Sequence, residues 1–259
     1  MAFAIRDGVR LHYKVEGAAD RPPLVLLNSI GTDMGMWDRA IPRLMERFLL
    51  LRIDTRGHGA SDVPAGDYSM ELLAGDVLAV MNAAGIGKAA IAGVSLGGMI
   101  AMELALLAPD RVVGLGLIGT TATLYSQMWD DRIAKVRAEG MDSIADAVMS
   151  RFLSPEAPAE YTGTIRRTLC TTDPQGYAGA GAAIRDMALM ERLPQIAAPT
   201  VVIIGARDIS TPLAGNGDKL LELIPGATIA HTDGAHVMPV EDPEGVAQIL
   251  IAAFAGQSA

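Results

Sequence analysis

Between residues 9 and 16 apolar and polar positions alternate: Val9, Leu11, Tyr13 and Val15 interleave with Arg10, His12, Lys14 and Glu16. This period of two predicts a half-exposed antiparallel strand with His12 on its polar face. Downstream the pattern changes. Leu24 to Leu27, Leu49 to Ile53, Ala89 to Ala92, Val112 to Ile118 and Val201 to Ile204 are short, mostly apolar runs. Runs of that length without alternation predict strands buried on both faces, as in a parallel sheet. A further short strand is predicted over Thr228 to His231. Between the strands, helices are predicted over Met36 to Phe48, Ser69 to Ala84, Gly98 to Ala108, Leu213 to Ile224 and Pro243 to Phe254, with stops at Gly85 and Pro109. Strands alternating with helices define the α/β class: a mostly parallel central sheet flanked by helices.

Residues 122–192 break that rhythm. They hold helical stretches, Asp130 to Ala138 and Ile144 to Phe152, but no strongly apolar strand run. They are read as a helical cap inserted into a core formed by residues 1–121 and 193–259. The length of 259 residues suits such an arrangement, and a composition that is 50% hydrophobic and 20% charged suits a sizeable core. No apolar run approaches the ~20 residues of a membrane span, and Arg6 and Asp7 interrupt the short apolar start. The single cysteine, Cys170, excludes an intrachain disulfide and a cysteine metal cluster. Together these features lead us to expect a cytoplasmic protein. A net charge of −9, with no Lys/Arg-rich run, argues against nucleic acid or anionic membrane as partner. Seven of the eight cations in 122–192 are arginines, which permits a local anion site there.

The chemistry centres on Gly93-Val94-Ser95-Leu96-Gly97, a G-x-S-x-G pentapeptide between a predicted strand and a predicted helix. In that context it reads as a nucleophile elbow, with Ser95 pushed into open space on a sharp turn. Asp208 follows the Val201 to Ile204 strand, where an acid can orient a histidine and stabilise its imidazolium; a helix N-cap is its structural alternative. His236 lies in Asp233-Gly234-Ala235-His236, a loop suited to a general base. Of the other histidines, His12 and His231 fall in or beside strands, and His58, in the turn Asp54-Thr55-Arg56-Gly57-His58-Gly59, is the one serious rival. Asn28-Ser29-Ile30-Gly31-Thr32 follows the first buried strand, so the Ile30 and Leu96 N–H groups are candidates for an oxyanion hole. There is no H-E-x-x-H or Cys/His metal spacing, which disfavours metal catalysis, and no G-x-x-x-x-G-K-[ST] phosphate loop.

With the chain order Ser95, Asp208, His236, the sequence resembles the 3-oxoadipate enol-lactonase family of the α/β-hydrolase superfamily. The resemblance runs almost end to end. It is carried by Gly8-Val9-Arg10-Leu11-His12-Tyr13, by Asn28 to Thr32 with Met36-Trp37, by Asp54 to Ser61, by Ser95-Leu96-Gly97-Gly98-Met99, and by the Asp208 and His236 loops. Arg137 to Met141, Ile144 to Val148 and Gly176-Tyr177-Ala178 extend it into the cap. It implies an α/β-hydrolase fold with a helical cap and cofactor-free opening of a carboxylated lactone. Ser95 would be the nucleophile, His236 the base and Asp208 its orienting acid. Ser29, Trp129, Arg132, Arg151, Phe152 and Val237 would be substrate-binding residues, with Arg132 or Arg151 meeting the carboxylate. Three positions depart from the family. Arg151-Phe152 stands where it has Arg-Trp, Val237-Met238-Pro239 where a Ser-Asn pair follows the histidine, and Gly119 where it carries Asn. These positions are expected to line the pocket. Two alternatives stay open: hydrolysis of a less polar ester or lactone, and a low-turnover ligand-sensing protein on the same fold.

Overall fold

The computed structural model describes residues 2–123 and 125–256. Eight strands form one sheet: β1 (Ala2–Arg6), β2 (Val9–Glu16), β3 (Pro23–Leu27), β4 (Leu49–Ile53), β5 (Ala89–Val94), β6 (Val112–Ile118), β7 (Thr200–Gly205) and β8 (Thr228–Thr232). Their order is β1-β2-β4-β3-β5-β6-β7-β8, with β1 and β2 antiparallel and every pair from β4 to β8 parallel. β5 and β7 are buried along their whole length, as expected of central strands with helices on both faces. The helices are α1 (Ile41–Met45), α2 (Met70–Ala83), α3 (Leu96–Leu107), α4 (Ser126–Glu139), α5 (Asp142–Phe152), α6 (Ala159–Thr171), α7 (Pro174–Arg185), α8 (Asp218–Leu223), α9 (Met238–Glu241) and α10 (Pro243–Phe254).

Two expected helices are broken. The stretch 36–48 is a 3-10 turn, Met34–Trp37, followed by the five-residue α1. Asp33 caps the turn by accepting the Gly35 N–H at 2.8 Å, and Pro42, with no N–H to give, fits only at a helix start. The stretch 213–224 is a kinked turn, Leu213–Gly217, whose backbone leaves the helical region at Ala214 and Gly215, followed by α8. His12 is buried, not on a polar face: its Nδ1 meets the Asp54 carboxylate at 2.8 Å, while its Nε2 is buried with no partner among the described residues.

Between β6 and β7 lie α4 to α7. α7 fastens this segment to the sheet edge. Gly57, at φ +80°, and Gly176 touch backbone to backbone, so that a Cβ on Gly57 would lie 2.7 Å from the Gly176 Cα. The Tyr68 N–H also donates to the Gly179 carbonyl at 3.0 Å, and Asp67 pairs with Arg137 and Arg185. The segments following β3, β4, β5, β6, β7 and β8 all leave from the carboxyl edge of the parallel strands, where an α/β sheet collects its functional groups.

Candidate active site

Ser95 stands between β5 and α3 at φ 53° and ψ −112°. A non-glycine residue in that region costs about 1–3 kcal/mol, and surrounding bonds hold it there. Its N–H donates to the Ile118 carbonyl (2.9 Å), and its carbonyl accepts Gly98 N–H (2.9 Å), Met99 N–H (3.1 Å) and the Thr120 hydroxyl (2.7 Å). The side chain faces a cavity of about 370 Å³ that His236 also lines.

Asp208 follows β7, and its carboxylate accepts Ser210 N–H (2.8 Å), Thr211 N–H (3.1 Å) and the Thr211 hydroxyl (2.8 Å). Asp208 is therefore not the helix N-cap expected as its alternative, a place that Pro212 takes; it closes a local turn and also holds a histidine. His236 Nδ1 lies 3.0 and 3.2 Å from its two oxygens. Burial pushes the Asp208 pKa up, but the His236 charge and the bonds from His236 and Thr211 outweigh it, so the carboxyl sits below its usual range. An ionised carboxylate only accepts, so Nδ1 carries a proton, and loss of the ring's other proton leaves Nε2 as an acceptor.

The His236 loop is held from outside the sheet. The Phe152 ring stacks on the imidazole at 5.7 Å between centroids and 28° between planes. The Val237 N–H donates to the Phe152 carbonyl at 3.0 Å. One oxygen of Glu241 accepts Ala235 N–H at 2.6 Å, and the other accepts the Ser154 N–H and hydroxyl.

Two backbone N–H groups have no partner among the described residues: that of Leu96, which follows Ser95 at the start of α3, and that of Ile30, in the loop after β3. Gly97 brings the end of β3 close to the elbow. A Cβ there would lie 2.7 Å from the Leu27 carbonyl oxygen and 2.9 Å from that of Asn28, so only glycine lets the end of β3 lie against the elbow. The Ser29 carbonyl accepts Asn28 Nδ2 (2.9 Å), the Thr32 hydroxyl (2.7 Å) and Thr32 N–H (3.2 Å). Carbonyl and N–H of a trans peptide point in opposite directions, so these bonds turn the Ile30 N–H away from them.

The remaining expected site residues divide. Trp129 and Arg151 line the cavity, and Arg151 has no ion-pair or hydrogen-bond partner among the described residues. Arg132 instead lies over the Trp129 ring, 4.8 Å from its centroid, near the buried Tyr177 hydroxyl. Ser29, Phe152 and Val237 are buried and are not among the described residues that line the cavity, contrary to the expectation for all three. Phe152 is occupied by His236 and Val237 by the bond to its carbonyl. Gly119 packs behind the acid: a Cβ there would lie 3.1 Å from Asp208 Oδ2.

His58 is excluded as a base at this cavity. It is 1% exposed, Nδ1 meets the Arg56 carbonyl (3.1 Å) and Nε2 accepts the Gly31 N–H (3.0 Å). His231 is exposed on β8.

The sequence reading missed Met99, Met128 and Ile184, which make much of the wall apolar, and Thr211 and Asn216. The Asn216 Nδ2 donates to the Pro212 (3.0 Å) and Ala214 (3.3 Å) carbonyls, leaving its buried Oδ1 unpaired. Thr211 was within reach, since Asp-x-x-Thr after a strand is a common local turn; the others come from helices and turns whose packing no local pattern announces. A larger groove of about 480 Å³, edged by Asp33, Asp54 and Asp173, contains neither Ser95 nor His236, so the chemistry belongs to the smaller cavity.

A doubly flanked sheet with serine, histidine and acid at its carboxyl edge defines a class, and comparison with known proteins agrees. Residues 22–243 match the alpha/beta hydrolase fold family, and the chain belongs to that family. It is 33% identical over 240 residues to 3-oxoadipate enol-lactonase 2 of Acinetobacter baylyi, covering 91% of this chain and 90% of that protein. Among solved structures, the enol-lactonase of Burkholderia xenovorans superposes with a TM-score of 0.93 at 34% identity, covering 97% of this chain and 98% of that one. A hydrolase from Pseudomonas aeruginosa also gives 0.93, at 39% identity, covering 99% and 98%.

Proposed function

We propose that this protein is a cofactor-independent serine hydrolase that opens a small lactone or ester, 3-oxoadipate enol-lactone first among them, through an acyl-enzyme on Ser95. The observation that carries the reading is the shared cavity: Ser95 and an imidazole whose Nδ1 is held by Asp208 face the same space. His236 Nε2 takes the Ser95 proton as Oγ bonds to the lactone carbonyl carbon. The alkoxide that forms sits between the Ile30 and Leu96 N–H groups, the latter at the positive end of the twelve-residue α3. Collapse breaks the ring C–O bond. The leaving oxygen takes the proton from His236 as an enol, which becomes a ketone. Water then attacks the acyl carbon, gives a proton to His236, and collapse returns that proton to Ser95 and frees the carboxylate. No metal or redox group enters this sequence.

The 122–192 segment acts as the cap. Arg151, a cation on the cavity wall with no ion-pair or hydrogen-bond partner among the described residues, supports a substrate that brings a carboxylate. The names of the enol-lactonase relatives point the same way. The apolar wall of Met99, Met128, Trp129 and Ile184 favours the second reading, a neutral ester or lactone.

Turnover of a carboxylated lactone and its methyl ester by wild type, Ser95→Ala, His236→Ala and Arg151→Met tests both. The first two variants should lose ~10⁴-fold or more in kcat; substantial activity in folded Ser95→Ala would end the hydrolase reading. Arg151→Met should lose ~10–100-fold in kcat/KM on the carboxylated substrate, the range of one charge-assisted bond, and little on the ester. Equal losses on both would remove the carboxylate from the proposal.

A further inference from the structure

The two oxygens of Asp208 are held in different ways. Oδ1 accepts the Ser210 N–H (2.8 Å) and the Thr211 N–H (3.1 Å), which closes the turn after β7. Oδ2 accepts the Thr211 hydroxyl at 2.8 Å and lies 3.0 Å from His236 Nδ1, closer than the 3.2 Å of Oδ1. The oxygen nearest the imidazole is thus shared between the ring and one side chain. That side chain touches both partners, because the Thr211 hydroxyl oxygen is 3.4 Å from Nδ1. Nδ1 carries a proton of its own, so the hydroxyl proton goes to the carboxylate. The turn does not depend on this bond, since the Thr211 N–H already closes it. Thr211 is also buried, on the wall of the cavity that Ser95 and His236 share.

A donor on Oδ2 changes what the imidazole meets. It pins the second oxygen, so the carboxylate is held at both ends. It also draws charge from the oxygen that stabilises the imidazolium, and a bond to an ionised acceptor is among the strong ones. The other charged groups around the ring are engaged elsewhere or stand apart from it. Glu241, on α9, accepts the Ala235 N–H and the Ser154 N–H and hydroxyl. Arg207 donates to the Asp233 carbonyl and pairs with Glu156. The Asp242 carboxylate accepts the Asp233 and Gly245 N–H groups, and Asp233 itself is exposed. Arg151, near the end of α5, lines the cavity. Among the described residues, Asp208 is the charged group hydrogen-bonded to the imidazole, so whatever modulates Asp208 modulates the base.

We propose that Thr211 is a positioning residue for the base: its hydroxyl anchors Asp208 Oδ2 and, by sharing the charge of that oxygen, limits how firmly His236 holds a second proton. The proposal rests on Ser95, His236 and Asp208 acting together as a hydrolase, and the experiment separates the two. The pH profile of kcat/KM on p-nitrophenyl acetate is measured for wild type, Thr211→Val, Thr211→Ser and Ser95→Ala, with thermal unfolding of each. Valine keeps the shape and puts a methyl group where the hydroxyl was; serine keeps the hydroxyl. Thr211→Ala supplies the hydroxyl-free enzyme if the valine variant does not fold. The hydroxyl-free enzyme should show its acid limb moved up by about half to one pH unit. Its kcat/KM should then be ~3–10-fold below wild type on that limb and within about threefold on the alkaline plateau. Thr211→Ser should bring the limb back to the wild-type position. An acid limb that does not rise in the hydroxyl-free enzyme, a loss equal at every pH, or a serine variant that behaves like valine overturns the role of Thr211 while Ser95 stands. Turnover undiminished in folded Ser95→Ala overturns the hydrolase reading itself.

Discussion

Replacing Gly97 by alanine adds one carbon and tests how closely the two halves of the proposed oxyanion hole are set. That carbon would lie 2.7 Å from the Leu27 oxygen and 2.9 Å from the Leu27 carbon and the Asn28 oxygen, all backbone atoms. To regain ordinary contact at 3.4 Å, the end of β3 must retreat from α3 by about 0.5–0.7 Å. Ile30 lies three residues beyond Leu27 and moves with it. An N–H···O bond set near 2.9 Å then stretches to about 3.5 Å, where little of it is left. Losing one such donor costs about 3 kcal/mol of transition-state stabilisation, or ~10²-fold in kcat. KM should hardly change, because the donor acts on charge that develops after binding. Overpacking of this kind costs folding about 1–3 kcal/mol, or roughly 2–12 °C in Tm at about 2–4 °C per kcal/mol. Steady-state kinetics beside thermal unfolding and circular dichroism would separate the two effects. A folded Gly97→Ala enzyme with kcat within threefold of wild type would refute the reasoning.

Asp208→Asn should fold normally and lose about 10⁴-fold in kcat, because an amide that donates to Nδ1 favours the opposite tautomer and puts the proton on the side facing Ser95. NMR of the imidazole nitrogens should report that switch, and an unchanged tautomer would show that the acid acts only through charge. His58 makes stability pH-dependent. Its pKa is lowered on folding, so the unfolded chain binds more protons below the ordinary histidine value of about 6.5, and stability falls as pH drops through it toward the folded value. One proton sets a slope of up to about 1.4 kcal/mol per pH unit. Denaturant midpoints between pH 8 and 5.5 should therefore fall more steeply in wild type than in His58→Gln; parallel slopes would mean that His58 charges as readily in the folded chain.

The parallel strands were legible because both of their faces are covered, which writes them as uninterrupted apolar runs. Ser95, Asp208 and His236 were legible because strand ends are where such a sheet exposes polar groups. α7 was not. Its residues Gly176 to Ile184 are buried on every side by glycine and alanine, so it carries no polar face and no stripe. Phe152 and Val237 were expected on the cavity wall from the family resemblance, at the positions of its Arg-Trp pair and of the pair that follows the histidine. They instead fasten the end of α5 to the histidine loop, since a helix end and a loop present successive residues to different surroundings. Arg132 and Arg151 looked alike as cations on cap helices, and it took the Trp129 ring to separate them.

The clasp between the end of α5 and the histidine loop bears on how such a protein can be recombined. Residues 152–154 and 235–241 are more than eighty positions apart, yet the imidazole is stacked, hydrogen-bonded and braced across that gap. A chimaera that imports the whole 122–192 segment from a relative would therefore replace one half of the clasp and keep the other. Its first casualty should be turnover on every substrate, well before any change of preference shows. Libraries that shuffle substrate range in this chain should cross over so that 152–154 and 235–241 always come from the same parent.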